Sequence, residues 1–368
     1  MSDEKPGDGP RWRIDVFCCE YNESELEMIR MGVIGCGYWG PNLIRNFNGQ
    51  PDVEIVAISD LDEQRLHHVG LLYPNTKKTK DYKEIINDPD IDAVVVATPM
   101  STHFPLGSEV LKSGKHLFLE KPMATTSEDC RKLNQLAAAR DLQLMVGHTF
   151  IYTPAVSKIK SLIDSGELGD IYYVDISRVN LGIFQQDANV VWDLAPHDVA
   201  MLNYLFQSDP QRVSATGRCY VQRDKGIEDV AFLTLEYPGG RLAHIHVSWL
   251  DPNKIRKCTF VGSRKMLVYD DVSPSEKIRV FDKGVDVQPH YDNFGEFQLL
   301  YRSGDIFVPR LDTLEPLKNE TAHFVDLIKG NVAPLSSGYH GWKVVKVLEK
   351  ACQSIKEDGR PFDLEFSD

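Results

Sequence analysis

The sequence predicts an α/β protein: a parallel sheet covered by helices at the N-terminal end, then an α+β domain with a mostly antiparallel sheet. Three observations carry this. From Met31 onward, short apolar runs alternate with amphipathic stretches of helical length. A glycine-rich turn, Gly35-Cys-Gly37-Tyr38-Trp39-Gly40, separates the first such run from the first helix. Beyond residue 150 the pattern changes to successive strands joined by tight turns.

The strand-like runs of the first part lie at 31–35, 53–60, 93–98, 116–120 and 143–147. Helix-like segments at 41–47, 62–72, 82–87, 104–113 and 127–140 separate them. Short apolar strands joined by such helices are βαβ units, and βαβ units build a parallel sheet buried on both faces. Thr126 and Ser127 before Glu128 supply an N-cap for the last of these helices. In the second part a helix over 155–165 ends at Gly166, and a long alternating strand runs over 170–180. A short helix over 194–205 precedes strands at 212–222, 229–237, 241–249, 258–261, 266–269 and 277–281. Pro238-Gly239-Gly240 is the clearest hairpin signal among them. Helices over 317–329 and 338–356 close the chain. The expected domains are therefore 31–149 and 150–368. Residues 1–30 stand apart, with mixed Gly, Pro and charge over 3–10 and no clean period over 18–27. They are expected to be a disordered extension or the product of an upstream start codon, with a short edge strand over 12–17 as the alternative.

Composition narrows the function. A chain of 368 residues with 42% apolar and 26% charged residues is globular rather than disordered or fibrous. With 41 Lys plus Arg against 54 Asp plus Glu, the net charge of −13 argues against nucleic-acid binding, which needs a basic footprint. A local basic pocket for a small anionic substrate stays open. Nothing approaches the run of about 18 apolar residues that spans a membrane, and 1–15 lacks the apolar centre of a secretory signal. The 7 cysteines are scattered, odd in number and without a C-x-x-C pair, which reads as free thiols in a reducing, cytoplasmic setting and no structural zinc.

The glycine turn has the context that a dinucleotide fold requires: strand before, helix after, and Asp60 ending the next strand. Small residues let a pyrophosphate approach the backbone, and the helix N-terminus offers amides and a positive dipole end. The Asp60 carboxylate suits ribose hydroxyls and would repel a ribose phosphate, so NAD is expected over NADP. The segment Thr98-Pro99-Met-Ser-Thr-His103 and then Glu120-Lys121-Pro122 follow later strands of the same sheet, at the carboxyl ends where open α/β sheets bind ligands. Lys121 is thereby aimed toward the nicotinamide end of a cofactor, although a lysine before proline also suits an ordinary loop. In Trp192-Asp193-Leu-Ala-Pro196-His197-Asp198, Asp193 and His197 are one helical turn apart and share a face. A histidine beside a carboxylate is the usual general base and its orienting partner. The competing reading makes Asp193 an N-cap, Pro196 a first-turn residue and Asp198 the rival partner of the imidazole. His244 and His246 share one strand face, but no third residue is spaced to complete a metal site.

Taken together, GVIGCGYWGPNLIRNF, VVVATPMSTH, LEKPMA, VGHTFIYTPAV, SGELGDI and WDLAPHD resemble the Gfo/Idh/MocA family of oxidoreductases, from about residue 31 to the end. That resemblance implies an N-terminal Rossmann dinucleotide-binding domain and a C-terminal domain with a large open sheet that often makes oligomer contacts. It matches Lys121 to the lysine at the reaction centre, His197 to the catalytic histidine and Asp193 to the aspartate four before it. Thr98, Pro99, His103 and Glu120 match residues that line the cofactor, beside Gly35, Gly37, Tyr38, Trp39, Gly40 and Asp60. Two departures concern the sugar pocket. Val190, Val191 and Ala195 stand where many members have glycines, and Ala200 stands where an Asp is common.

The stretch from Ser177 to Gln185 with the segment up to His197 is similar to nucleotide-sugar members, the UDP-N-acetylglucosamine 3-dehydrogenases. Tyr152, Arg178 and Asn180 are then expected at the sugar or its phosphates, with a polar strand face as the alternative. The expected function is NAD-dependent oxidation of a secondary sugar hydroxyl, on a nucleotide-sugar such as UDP-N-acetylglucosamine at C3. A free polyol or aldose such as an inositol, and a catalytically silent sugar or NAD sensor, are the rivals. A homodimer or homotetramer is expected, with no nucleic-acid or membrane partner.

Overall fold

In a computed structural model the structure describes residues 28–287 and 299–366. The expected extension, and its alternative strand over 12–17, lie outside the described residues except for 28–30. There the outcome differs: β1 (Ile29–Ile34) begins two residues before Met31. Ile29 is buried and pairs with Val53, and the Arg30 amide donates to the Asp92 carboxylate at 2.8 Å.

The N-terminal half continues with α1 (Gly40–Asn48), β2 (Val53–Ser59), α2 (Glu63–Leu72), β3 (Lys77–Thr79), α3 (Lys83–Ile86) and β4 (Ala93–Val96). Then come α4 (His103–Lys112), β5 (His116–Glu120), α5 (Ser127–Ala138) and β6 (Leu144–Gly147). All six strands are parallel, in the order β3-β2-β1-β4-β5-β6. This is the doubly wound Rossmann arrangement, and its crossover direction reverses between β1 and β4. The glycine turn follows one of these strands and Thr98 the other, so both flank the switch point. The buried Ala93-Val-Val-Val96 run shows why no period was visible here: helices cover both faces. As expected, Thr126 caps α5, accepting from the Asp129 amide.

The second half contains α6 (Pro154–Asp164), β7 (Ile171–Val179), α7 (Val190–Phe206), β8 (Arg212–Arg218), β9 (Val230–Glu236) and β10 (Leu242–Ser248). It ends with β11 (Ile255–Gly262), β12 (Met266–Asp270), β13 (Ile278–Val287), β14 (Leu299–Phe307), α8 (Pro316–Ile328), α9 (Gly338–Lys356) and β15 (Phe362–Asp363). One nine-stranded sheet results, in the order β14-β13-β12-β11-β7-β10-β9-β8-β15. Its pairs are antiparallel except β7 with β10. Along β7, Val174, Ile176 and Arg178 point to the buried face, while Tyr173 and Asp175 point to the open one.

Helix α8 returns to the first sheet. Phe324 packs edge-to-face on Phe47 of α1 and Phe118 of β5, with centroids 6.0 and 5.5 Å apart. That aromatic contact fixes the strand leading into Lys121 against the second half of the chain.

Candidate active site

The cradle is built by three glycines with three different constraints. Gly35 has φ +103°, and a Cβ there would stand 2.4 Å from the Ala97 carbonyl oxygen. A Cβ on Gly40 would lie 2.1 Å from the Gly35 oxygen, so α1 can start this close to the strand only with glycine. At Gly37 nothing lies nearer than Arg65 Nη1 at 3.6 Å, and the backbone faces open space. That space is a cavity of about 550 Å³ lined by Gly37, Tyr38, Pro41, Asp62, Arg65 and His68, among others. An open glycine facing a cavity, beside the unpaired first amides of α1, fits a pyrophosphate. Tyr38 and Trp39 stand exposed at its rim.

Asp60 directly follows β2, one residue past its last strand position, and its oxygens already accept from the Cys36 amide at 2.7 Å and the Asp62 amide at 2.9 Å. Each oxygen keeps a lone pair for ribose, and the carboxylate also shapes the turn. Burial and this carboxylate push the Cys36 thiol up to about 12, which leaves it inert.

Thr98 and Pro99 follow β4, with Thr98 hydrogen-bonded to Thr102 at 2.7 Å. His103 is buried, and each ring nitrogen lies 2.8 Å from a carbonyl, that of Pro122 and that of Thr98. It therefore stitches the two ligand loops together from below. Glu120 is also buried, its Oε2 accepting from the Lys121 amide at 3.1 Å, and burial raises its pKa to about 7. Behind it Glu320 of α8 is fully buried, accepts from Thr149 at 2.7 Å and is raised well above the carboxylate range, first by burial and then by Glu120.

Across the crevice, α7 begins at Val190 rather than at 194, because Asn189 caps it by accepting from the Trp192 amide at 3.2 Å. Asp193 is thus not the cap, and Pro196 lies inside the helix. Lys121 Nζ donates to the Asp193 carbonyl at 3.0 Å and stands 3.7 Å from its Oδ1. Oδ2 accepts from the Trp249 indole at 2.9 Å. His197 follows one turn later, its ring 4.8 Å from that of Phe150, and its buried Nδ1 has no partner among the described residues. Burial, then Lys121, Arg178, His148 and Arg256, hold its pKa well below the usual range, so the ring is neutral before reaction. Asp198 does not compete for it. Both of its oxygens are taken by Arg178, at 2.9 and 2.7 Å.

That pair changes the role expected of Arg178, which is buried and also stacks on Phe150 at 4.3 Å. Tyr152 is likewise buried, with its hydroxyl 2.9 Å from Ser336. Both are thus buried and hydrogen-bonded within the protein, behind Phe150 and beside Ser336. Asn180, half-buried beside Trp249 and Gly182, has no side-chain hydrogen bond among the described residues and stays available. Arg256, register partner of Arg178 and so on the same sheet face, reaches within 5.7 Å of Phe150. Trp249 and Arg256 carried no sequence signal, since only the pairing of β10 and β11 with β7 brings them here, while Phe150 stands in the VGHTFIYTPAV segment after β6. Phe232 stacks on His246 at 4.4 Å, His244 bonds Asp175, and no cluster of metal ligands occurs among the described residues.

A glycine cradle and a lysine at the carboxyl ends of one parallel sheet, facing a histidine across a crevice, define a nicotinamide-dependent dehydrogenase acting on hydroxyl groups. The chain belongs to the Gfo/Idh/MocA oxidoreductase family. Residues 29–148 match its NAD-binding Rossmann-fold domain and residues 156–268 its C-terminal domain. Among similar proteins, the myo-inositol 2-dehydrogenase of Thermotoga maritima is 26% identical over 346 residues, 92% of this chain and 99% of that one. The structure of GenD2 from gentamicin A biosynthesis in complex with NAD has the same fold, with TM-score 0.76 and 20% identity over 92% of this chain and 97% of that one. So has the UDP-N-acetylglucosamine 3-dehydrogenase GnnA of Acidithiobacillus ferrooxidans, with TM-score 0.73 and 20% identity over 90% and 98%.

Proposed function

We propose that the protein oxidises a secondary hydroxyl of a sugar or polyol with NAD. The observation that carries this reading is the Lys121–Asp193 contact, which sets an ammonium beside neutral His197 at the carboxyl end of the Rossmann sheet. His197 would take the hydroxyl proton. Lys121 would donate to the same oxygen and stabilise its developing charge. Asp193, anchored by Trp249, would orient Lys121. Bound in the cradle at Gly35, Gly37 and Gly40, the nicotinamide cofactor supplies the hydride acceptor. The Asp60 carboxylate at the cradle favours NAD over NADP.

For the substrate we favour a nucleotide-sugar, with oxidation of UDP-N-acetylglucosamine at C3 as the specific case. The subgroup motif around Ser177–Gln185 and the half-buried Arg256 guanidinium on the crevice side of the sheet support it. A second reading, a free cyclitol, is favoured by the near full-length similarity to myo-inositol 2-dehydrogenase. We also propose a homodimer or homotetramer joined through the open sheet face, where Tyr173, Phe232 and Leu242 are exposed. A cytoplasmic setting agrees with Cys36, Cys130, Cys219, Cys258 and Cys352 being unbridged. No helix among the described residues is long and apolar enough to cross a membrane.

The test is NADH formation with UDP-N-acetylglucosamine, myo-inositol and glucose, with NAD and NADP compared. Turnover on one of them with NAD supports the reading and separates its two forms. Absence of hydride transfer and of isotope exchange at the sugar carbon would favour the silent sensor. NADP bound at least as tightly as NAD would overturn the role given to Asp60.

A further inference from the structure

Behind the site lies a line of polar groups that the chemistry above does not use. His148 follows Gly147, the register partner of Glu120, so it stands beside Lys121 at the end of the sheet. It is 1% exposed, and neither ring nitrogen has a hydrogen-bond partner among the described residues. Its ring meets that of His340 edge-on, with centroids 5.5 Å apart. His340 lies in the first turns of α9, and its Nε2 is buried and unpartnered too. The same ring lines a second cavity of about 250 Å³ with Asn203, Ser337, Asp209 and Lys343. There the Asn203 amide nitrogen is also buried without a partner. Native proteins satisfy such atoms with ordered water when no side chain does. Unpartnered nitrogens on His148 and His340, the first close enough to His197 to lower its proton affinity and the second at a polar cavity, are places for ordered water.

We propose that His148 and His340, bridged by water, conduct the proton taken by His197 to the cavity at Asn203, Asp209 and Lys343. The proposal rests on the function proposed above. Oxidation of a secondary hydroxyl yields a hydride, which the nicotinamide takes, and one proton, which His197 takes. A substrate in the crevice covers the open side of His197, so the proton needs another way out. His148 receives a proton at one nitrogen as it releases one from the other, His340 takes the proton from bridging water and returns it to cavity water at Nε2, its other nitrogen being held by the Ala200 backbone, and water in the cavity carries the proton to solvent. The net result is one proton delivered and both imidazoles neutral again. Burial lowers the proton affinity of His148, and of His340 to about 4, and Lys121 and Lys343 add to it on either side. Asp209 and the Ala200 backbone act in the opposite direction at His340. Neither ring holds the proton, which is what a conductor requires.

Two measurements test this. In a high-resolution crystal structure of the NAD-loaded protein, ordered waters should bond the nitrogens of His148 and His340 Nε2; dry nitrogens would overturn the proposal even if no substrate were known. In single turnovers with a pH-indicator dye, wild-type proton release should keep pace with NADH formation. In His340→Phe, which keeps a ring against His148, release should lag hydride transfer at least about tenfold and recover with added imidazole. Equal rates for dye and NADH in that variant would also overturn it. If His340→Phe does not fold, His340→Gln is read in the same way.

Discussion

Lys121 and Asp193 meet across the two halves of the chain, the ammonium donating to the Asp193 carbonyl at 3.0 Å while standing 3.7 Å from its carboxylate. The lysine belongs to the loop after β5 and the aspartate to the first turn of α7. A contact of this kind lets the site exist only when the Rossmann sheet and the second sheet are correctly seated on each other. The Phe47–Phe118–Phe324 packing holds that seating from behind.

Trp249 anchors this contact from the far side, through its indole bond to Asp193 Oδ2. Trp249→Phe keeps the ring and removes the bond. Hydrogen bonds to charged groups contribute roughly 1.5–3 kcal/mol, so turnover should fall by at least about tenfold. The Michaelis constant for NAD should stay constant, because the cradle is untouched. A change confined to thermal stability would assign Trp249 a packing role only.

The Arg178–Asp198 pair is a framework element, with Asp198 fully buried and both oxygens engaged. Asp198→Ala leaves a buried guanidinium unpaired and should cost about 3–5 kcal/mol in chemical denaturation. Replacing both partners by apolar residues of similar volume, Arg178→Met with Asp198→Leu, should recover most of that loss. An Asp198→Ala protein of wild-type stability but weakened sugar binding would return Arg178 to the substrate.

Glu120 gives the stability a pH dependence. Its folded pKa is raised from 4.5 to about 7 by burial, so the protonated form is the one the fold prefers. The stability this supplies is complete below 4.5, and falls as pH rises through about 7. Glu120→Gln removes that fall and should be more stable than wild type at pH 8 by up to about 3 kcal/mol, with little difference at pH 4. Thermal melts across this range check it, and a gap that widens toward acid pH would contradict the assignment.

The glycine turn, the strand–helix alternation and the one-turn spacing of Asp193 and His197 were legible because each depends on local spacing, whereas Lys121, 72 residues before Asp193, joined them only through the family resemblance. Less visible were elements whose residues pack with little pattern. The Lys77-Lys-Thr79 edge strand has no apolar run, since an edge strand needs none. β14, with Gly304 and Asp305 inside it, was given no element by the sequence and is defined by its pairing with β13. The Val190-Val-Trp192 start of α7 lay outside the helix expected over 194–205, and the Asn189 cap places it inside. Arg178 and Asn180 were two residues apart on one face with equal claims on a sugar. Only the packing of α7, which brings Asp198 onto Arg178, separates them.

The most direct test of the central claim replaces the base. His197→Asn should lower turnover by about 10²–10⁴-fold on the sugar that the wild-type protein oxidises, with NAD affinity nearly unchanged because the cradle lies across the crevice. Its loss should not add to that of Lys121→Met, since both residues act on one hydroxyl oxygen. Near-normal turnover by His197→Asn would contradict the account, whatever became of the fold and the cofactor.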